Sequence, residues 1–418
     1  MITYASGVAM LKCGLLEHLH MRLMVVVMLL TATFAPVVLA DVKWEEDGWL
    51  ATIGLEHLQD GDEFGCYGMP NLAWQADPGA MALECRNYIE SRIDASQWGD
   101  NPISTFTPND LTASQHTTVG NQGFVIHGDK TGQSATAWHS SDDAPVSEYD
   151  WFDLGRRGGS LEKGISDIDK ISSELDSGGL VNMYWIGRIN DATVRHDSDV
   201  VDMLSARDDV WFTTWGEAYS YWTVERCHQF EHNMSQKTLM FKHEDTIACS
   251  SAAPNAWNVP VTWIADVSNA TVLQSNLPEI DADESNLMEG WRQEGEILYF
   301  TVLKGKSVHF NLSEDVDYDI TGRTEFFNNK TSALTIAGHS TTDLFLWSKR
   351  FDGNDDLRFT WLISPRGLDE GIAWLPYAGL GVLLASVSGI WLLLKKDALA
   401  HSKAEGLMGT INSGEDDE

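Results

Sequence analysis

The sequence predicts an α/β domain, then a small all-β sandwich domain, then one C-terminal membrane-spanning helix. Three observations predict this. From Asp41 to about Phe230, helix-like and strand-like segments alternate, which is the pattern of an α/β layered or barrel domain. Beyond Cys249, short runs of β-type residues are separated by Gly, Asn and Asp turns, as in a sandwich. Near the end, Trp374 to Leu394 (WLPYAGLGVLLASVSGIWLLL) carries no charge and is followed at once by Lys395 and Lys396. About twenty such residues span a hydrocarbon core of about 30 Å as a helix, which pairs its backbone polar groups internally.

The expected organisation is a signal region at 1–40, the α/β domain at 41–250, the sandwich at 251–371, the span at 372–394 and a cytoplasmic tail at 395–418. Met24 to Ala40 is apolar, lies behind Arg22 and closes on Val38-Leu39-Ala40, which reads as a secretory signal cut after Ala40. The first twenty residues resemble no part of a signal, so translation is expected to start at Met21. The lysine pair after the span places the tail in the cytoplasm, and residues 41–371 outside the cell or in an equivalent lumen. The expected location is thus the cell membrane, crossed once.

Within the first domain, Pro78 to Ile93 reads as a helix with Pro in its first turn. Gly123 to Gly128 reads as a buried strand, Leu161 to Leu175 as an amphipathic helix ending at Gly178-Gly179, and Leu180 to Ile186 as a second buried strand. Asp197 to Ala206 is helix-like, Val210 to Thr214 strand-like, and Trp215 to Val224 helical. The sandwich strands are expected at Val259–Val267, Glu296–Leu303, Ser307–Leu312, Ala333–Ala337, Asp343–Trp347 and Leu357–Ile363.

The formal net charge is −34, with 62 acidic against 28 basic residues among 418. Phosphate backbones need a basic face, so nucleic acid is excluded as a partner; the charge reads as solubility in saline surroundings. Cys66, Cys85, Cys227 and Cys249 are an even set in an exported chain, which implies two disulfides. Sequence proximity favours Cys66–Cys85 and Cys227–Cys249. Asn233, Asn269, Asn311 and Asn329 each begin a glycosylation sequon.

The stretch Asp208-Asp-Val-Trp-Phe-Thr-Thr-Trp-Gly-Glu-Ala-Tyr-Ser-Tyr resembles the last strand and helix of polysaccharide deacetylases, where a line of the form D-D-V-W-x-x-T-x-G-E-x-x-x-Y closes the barrel. Asp60 to Leu72 looks like that family's G-H-E-I-G-x-H-x-x-x-H segment. The Pro78 helix, Pro102 to Asn109 and Gly123-Phe124 follow in the family's order. The resemblance covers about Asp41 to Arg226 and implies a deacetylase-like (β/α) barrel acting on carbohydrate. Family enzymes hold a divalent metal through an Asp and two His, and the metal polarises the acetamide and activates water. In this chain the metal histidines of that motif fall at Cys66 and Pro70, and the acid His falls within Tyr184-Trp185-Ile186. The family's early acidic pair has only Glu45-Glu46-Asp47 to match it. The resemblance therefore implies the fold more than the activity.

The candidate chemistry is assembled from other residues. His127 and Asp129 follow a buried strand, where α/β folds place active sites, and are the catalytic candidates. His116 and His139 would join His127 around one divalent ion such as zinc. Arg156 and Arg157 form a small basic cluster suited to a carboxylate or sulfate on a sugar, and Trp138 offers a stacking face. Cys227-His228-x-x-x-His232 has histidines one helical turn apart. The expected function is that of a membrane-anchored extracellular protein directed at polysaccharide, by deacetylation or by binding. The alternative is a non-catalytic structural or adhesive surface glycoprotein.

Overall fold

The computed structural model describes residues 49–128, 140–143, 145, 150–186, 198–224, 228–245, 255–341, 356–365 and 374–412. Asp129, Trp138, His139, Cys227, Cys249 and the expected strand Asp343–Trp347 lie outside the described residues. Residues 44–367 form one compact unit, and the C-terminal helix belongs to a second.

The helices of the first unit are α1 (Trp49–Gln59), α2 (Pro78–Glu90), α3 (Ala113–Gly120), α4 (Ile168–Asp176), α5 (Ser198–Ser205) and α6 (Trp215–Val224). Their starts are chemically marked. Asp77 caps α2, with Pro78 in its first turn, Thr112 and Gln115 form a capping box on α3, and Asp167 caps α4. The Asp167 cap is why α4 starts at Ile168 and not at Leu161, where the amphipathic pattern begins.

The first strands are β1 (Glu63–Cys66), β2 (Ser104–Thr105), β3 (Ile126–His127), β4 (Phe152–Asp153), β5 (Gly158–Ser160), β6 (Gly179–Ile186) and β7 (Val210–Phe212). The chain then makes β8 (His228–Ser235), β9 (Thr238–Asp245), β10 (Val261–Asp266), β11 (Val272–Ser275), β12 (Gly290–Glu294), β13 (Ile297–Val302), β14 (Ser307–Leu312) and β15 (Asp319–Arg323) before returning as β16 (Ser332–Thr341) and β17 (Phe359–Ile363).

Among the described residues, nine strands form one curled parallel sheet, a half-barrel, in the order β4-β3-β2-β1-β17-β16-β6-β5, with β7 beside β16. Two of its central strands, β16 and β17, are the runs that the sequence pattern assigns to the second domain. Here β16 pairs in parallel with β6 and β17, and β17 with β1. The reason is physical: a strand buried on both faces shows no hydrophobic alternation, so its pattern does not reveal which sheet it joins. The boundary at about 250 therefore falls inside an excursion, residues 228–323, that interrupts the parallel sheet.

That excursion holds two four-stranded antiparallel sheets, β12-β13-β10-β15 and β11-β14-β9-β8. Their buried faces meet through aromatic rings: Phe241 of β9 stacks on Phe300 of β13 at 4.4 Å, and Phe310 of β14 meets Phe300 at 5.5 Å. His228 and His232 both lie on β8. Four residues along a strand span about 13 Å, so they do not converge as they would on a helix; the His232 ring instead hydrogen-bonds the Tyr318 hydroxyl at 2.8 Å.

The half-barrel has two chemically different faces. Phe64, Cys66, Val181, Met183, Leu334, Ile336 and Trp361 share one core with α1, α2, α4 and α5. Leu180, Tyr184, Ala333, Ala337 and Leu362 share another with Trp215 and the antiparallel sheets. Residues of the two sets alternate along β6 and β16, as the pleat requires.

The second unit contains α7 (Leu375–Asn412), whose segment Tyr377–Ala400 is long and apolar enough to cross a membrane. Its apolar side chains are exposed, and the Lys395 ammonium lies 5.1 Å from the Trp391 ring centre.

Candidate functional site: the carboxyl ends of the half-barrel

The concave face is built around the first turn of α6. Trp215 inserts there, its indole N–H donating to Asn182 Oδ1 at 2.9 Å and its backbone N–H to Thr360 Oγ1 at 3.0 Å. Thr335 also donates to Asn182 Oδ1, at 2.9 Å. A Cβ on Gly128 would fall within the Trp215 ring, so glycine there is a packing requirement.

Two buried carboxyl groups flank this helix start. Glu217 closes a capping box with Thr214: the Thr214 N–H donates to Glu217 Oε2 and the Glu217 N–H to Thr214 Oγ1, both at 3.3 Å. Trp98 Nε1 donates to the other oxygen at 2.8 Å. Glu63, at the start of β1, bonds the Ser104 hydroxyl and accepts the Gly216 N–H at 2.6 Å. Burial pushes Glu63 up to about 7, and nearby Glu217 adds to the rise, against the hydrogen bonds from Ser104, Gly216 and Thr214. Burial likewise raises Glu217, opposed by Trp98, Thr213, Arg358 and Thr214. The T-x-G-E-x-x-x-Y part of the family-like motif thus has a structural use in this chain. Thr214 and Glu217 start the helix, and the Tyr221 hydroxyl meets Thr324 Oγ1 at 2.9 Å.

At the carboxyl ends of the strands, the same face ends in aromatic rings around His339 of β16. Phe106, just past β2, and Tyr184 of β6 meet the imidazole edge-on at 4.4 and 4.5 Å, and Tyr67, just past β1, lies at 5.9 Å. Tyr67 and Phe106 stack on each other at 5.0 Å and are half-exposed. The exposed Arg156 holds its guanidinium 5.0 Å from the centre of the Tyr184 ring. Tyr184 anchors the set, its hydroxyl bonding the carbonyls of Gly128 and Leu154. His339 is only 3 % exposed, and its Nε2 has no hydrogen-bond partner among the described residues. Burial, with the Arg156 charge adding to it, pushes His339 down to about 3, so the ring is neutral at ordinary pH.

The sequence-derived histidines lie on the other face. His127 of β3 is in register with Thr105 of β2, and Thr105 with Cys66 of β1, whose sulfur is bonded to Cys85 on α2. His127 therefore faces the helices. There its Nδ1 lies 2.7 Å from Nδ1 of His116 on α3, while its Nε2–H donates to the Phe124 carbonyl at 3.0 Å. Trp151 stacks on His116 at 5.0 Å. Two nitrogens on one tetrahedral zinc stand about 3.3 Å apart, from Zn–N bonds near 2.05 Å. A separation of 2.7 Å is instead a hydrogen bond, from His116 Nδ1–H to His127 Nδ1. Burial lowers His116 to about 4, and burial together with His116 lowers His127 to about 3, so both rings are neutral. Among the described residues no group of three His, Cys, Asp or Glu is placed to hold a metal ion.

Arg156 and Arg157 also diverge. Arg157 is tied to the end of α4 through Glu174 Oε2 at 2.7 Å, the Glu174 carbonyl at 3.0 Å and Ser177 Oγ at 2.6 Å. Arg156 is the one of the pair that reaches the aromatic cluster. A separate cleft of about 410 Å³, lined by Arg207, Asp208, Asp283, Glu284, Asn286 and Asp356, opens near the amino ends of β7 and β17. Its Arg207 is neutralised by Asp176 and Asp209.

No protein-family model matches this chain, and no curated protein and no solved structure matches it.

His339, Tyr67 and Phe106 are candidate site residues that the sequence reading passes over. The available signal was the small-residue alternation Ala333, Thr335, Ala337 leading to His339, opposed by Leu334 and Ile336. That pattern marks a strand with one face against bulky helix contacts and the other against an inserted Trp.

Proposed function

We propose that this chain is a membrane-tethered surface protein that binds polysaccharide at the carboxyl ends of a deacetylase-like half-barrel. In this reading residues 41–371 lie outside the cell, the excursion forms the sandwich, and α7 is the anchor with its tail in the cytoplasm. One observation carries the binding role: a half-exposed ring pair, Tyr67 and Phe106, beside a buried imidazole whose Nε2 has no partner. Aromatic faces stack on sugar rings, and a buried polar atom without a protein partner can bond a ligand group or a water. Strand carboxyl ends are where α/β folds seat ligands. Binding is favoured over deacetylation because the His116–His127 hydrogen bond takes the two Nδ1 atoms that would otherwise face a shared metal; His116 Nε2, like His339 Nε2, has no partner among the described residues.

The test is calorimetric titration of the full-length protein in detergent with neutral, N-acetylated and uronate oligosaccharides. Binding to at least one class, lost in Tyr67→Ala/Phe106→Ala, is the expected result. Absence of binding to all three classes overturns the proposal.

A further inference from the structure

The four glycosylation sequons lie in or just after the antiparallel excursion, and their surroundings differ. In the sheet β11-β14-β9-β8, Leu239 and Phe241 of β9 and Phe310 and Leu312 of β14 belong to the core. The residues between them therefore face outward. Asn233 of β8 is in register with Met240 of β9, and Met240 with His309 of β14, so Asn233 stands on that outer face. Asn233 and Ser235 are both exposed, and the Asn233 amide has no hydrogen-bond partner among the described residues. Asn269 sits in the turn between β10 and β11, where the Ala270 N–H donates to the Val267 carbonyl at 3.1 Å and Ser268 takes a φ of 51°. Asn269 and Thr271 are likewise exposed, and the Asn269 amide has no partner among the described residues.

The other two sequons are engaged by the fold. Asn311 of β14 is half-buried between β9 and β11, and its Oδ1 accepts the Thr238 hydroxyl at 2.9 Å. Its Ser313 Oγ accepts the Thr271 N–H at 3.1 Å. Asn329 donates its Nδ2–H to the Tyr299 hydroxyl at 3.3 Å, and the Thr331 hydroxyl donates to the Asp209 carbonyl at 3.2 Å. A glycan added before folding must find room on the folded surface, and one added afterwards needs its asparagine within reach. Both conditions select an exposed, uncommitted amide.

We propose, resting on the placement of residues 41–371 outside the cell, that N-linked glycans are carried on Asn233 and Asn269 and not on Asn311 or Asn329. In the transfer a bond forms between the amide nitrogen and the anomeric carbon of a glycosyl phosphate donor. The bond from that carbon to the phosphate oxygen breaks, the phosphate leaves with the electron pair, and the nitrogen gives up one proton. The two acceptor sequons meet at one end of the sheet. Lys237, in the turn after Ser235, donates from Nζ to the Ser313 carbonyl at 2.8 Å, and the Ser313 N–H donates to the Thr271 carbonyl at 2.9 Å. Strand β8 ends its sheet among the described residues, and a glycan on Asn233 obstructs pairing of another chain along that edge.

The experiment reads glycopeptides of the full-length protein, purified from its native membrane, by mass spectrometry at each sequon. In parallel, intact and permeabilised cells are treated with a membrane-impermeant amine reagent, with the exposed Lys242 of β9 as the marker. The expected result is labelling of Lys242 on intact cells and glycans on Asn233 and Asn269 alone. The double variant Asn233→Gln/Asn269→Gln should lose all glycan mass, and Asn311→Gln should keep it. Lys242 labelled on intact cells with Asn233 or Asn269 bare, or with Asn311 or Asn329 occupied, overturns the glycan assignment and leaves the outside placement standing. Lys242 labelled only after permeabilisation removes both.

Discussion

His127 and His339 each stand at or near the carboxyl end of a parallel strand, and both are buried, yet their surroundings differ. His127 faces the helix layer, where Phe124 and His116 occupy both of its nitrogens. His339 faces the concave side, where its neighbours are rings and its Nε2 is left open. The difference comes from register, because a one-residue shift along a strand exchanges the two faces of a sheet. Two histidines near strand ends therefore face different layers, according to the parity of each strand. On the helix side both nitrogens of His127 are taken and His116 Nε2 has no partner among the described residues; on the concave side His339 Nε2 has none either.

The sharpest break in this picture is predicted at Gly128. Gly128→Val forces Trp215 out of the concave face and should prevent folding to the native state, read as loss of the cooperative thermal transition. Trp215→Ala should cost about 3–5 kcal/mol by leaving a cavity lined by Asn182 and Tyr184, measured by denaturant unfolding. Native-like stability in either variant would mean that α6 does not fill the half-barrel.

Glu63 and the buried histidines respond to pH in opposite senses. Glu63 has its folded value raised to about 7 from 4.5, so the folded state holds a proton that the unfolded state has lost. Its contribution is present below about 4.5 and is lost as pH rises to about 7. Glu63→Gln keeps an oxygen for the Gly216 N–H and turns its amide towards Ser104. It should therefore be more stable than the native protein above pH 7, by up to roughly 3 kcal/mol. The three histidines are lowered to about 3 or 4 from 6.5, so the unfolded state takes up their protons first. Their contribution is present above about 6.5 and falls away as pH drops towards 3. Between about 4.5 and 6.5 the histidines outweigh Glu63, and chemical denaturation should show stability rising with pH, more steeply in Glu63→Gln.

His127→Ala separates the two histidine sites. It leaves the His116 N–H without its acceptor and should cost about 1–3 kcal/mol while leaving oligosaccharide affinity unchanged. The smallest expected effect is that of Thr214→Ala, about 1 kcal/mol from the lost capping box, read by thermal melting.

Much of the fold was legible in the sequence. Trp215–Val224 forms the expected helix, Ser307–Leu312 the expected strand, and Cys66–Cys85 the expected disulfide. These depend on local signals: a cap, a β-type run, a short loop between cysteines. The placement of β16 and β17 was not legible, because their partners β6 and β1 lie far back along the chain. The site was half legible. Arg156 reaches the mouth and His116 does meet His127, but which face each strand-end side chain takes depends on a register that no local pattern records.

The most direct measurement is nitrogen NMR of histidine-labelled full-length protein, with and without a saturating oligosaccharide of the class that binds in calorimetry. The account predicts that the His339 resonances move on binding while those of His116 and His127 stay in place as a neutral, hydrogen-bonded pair. Movement of the His116 and His127 resonances with His339 unchanged would contradict it and place the site on the helix side of the sheet.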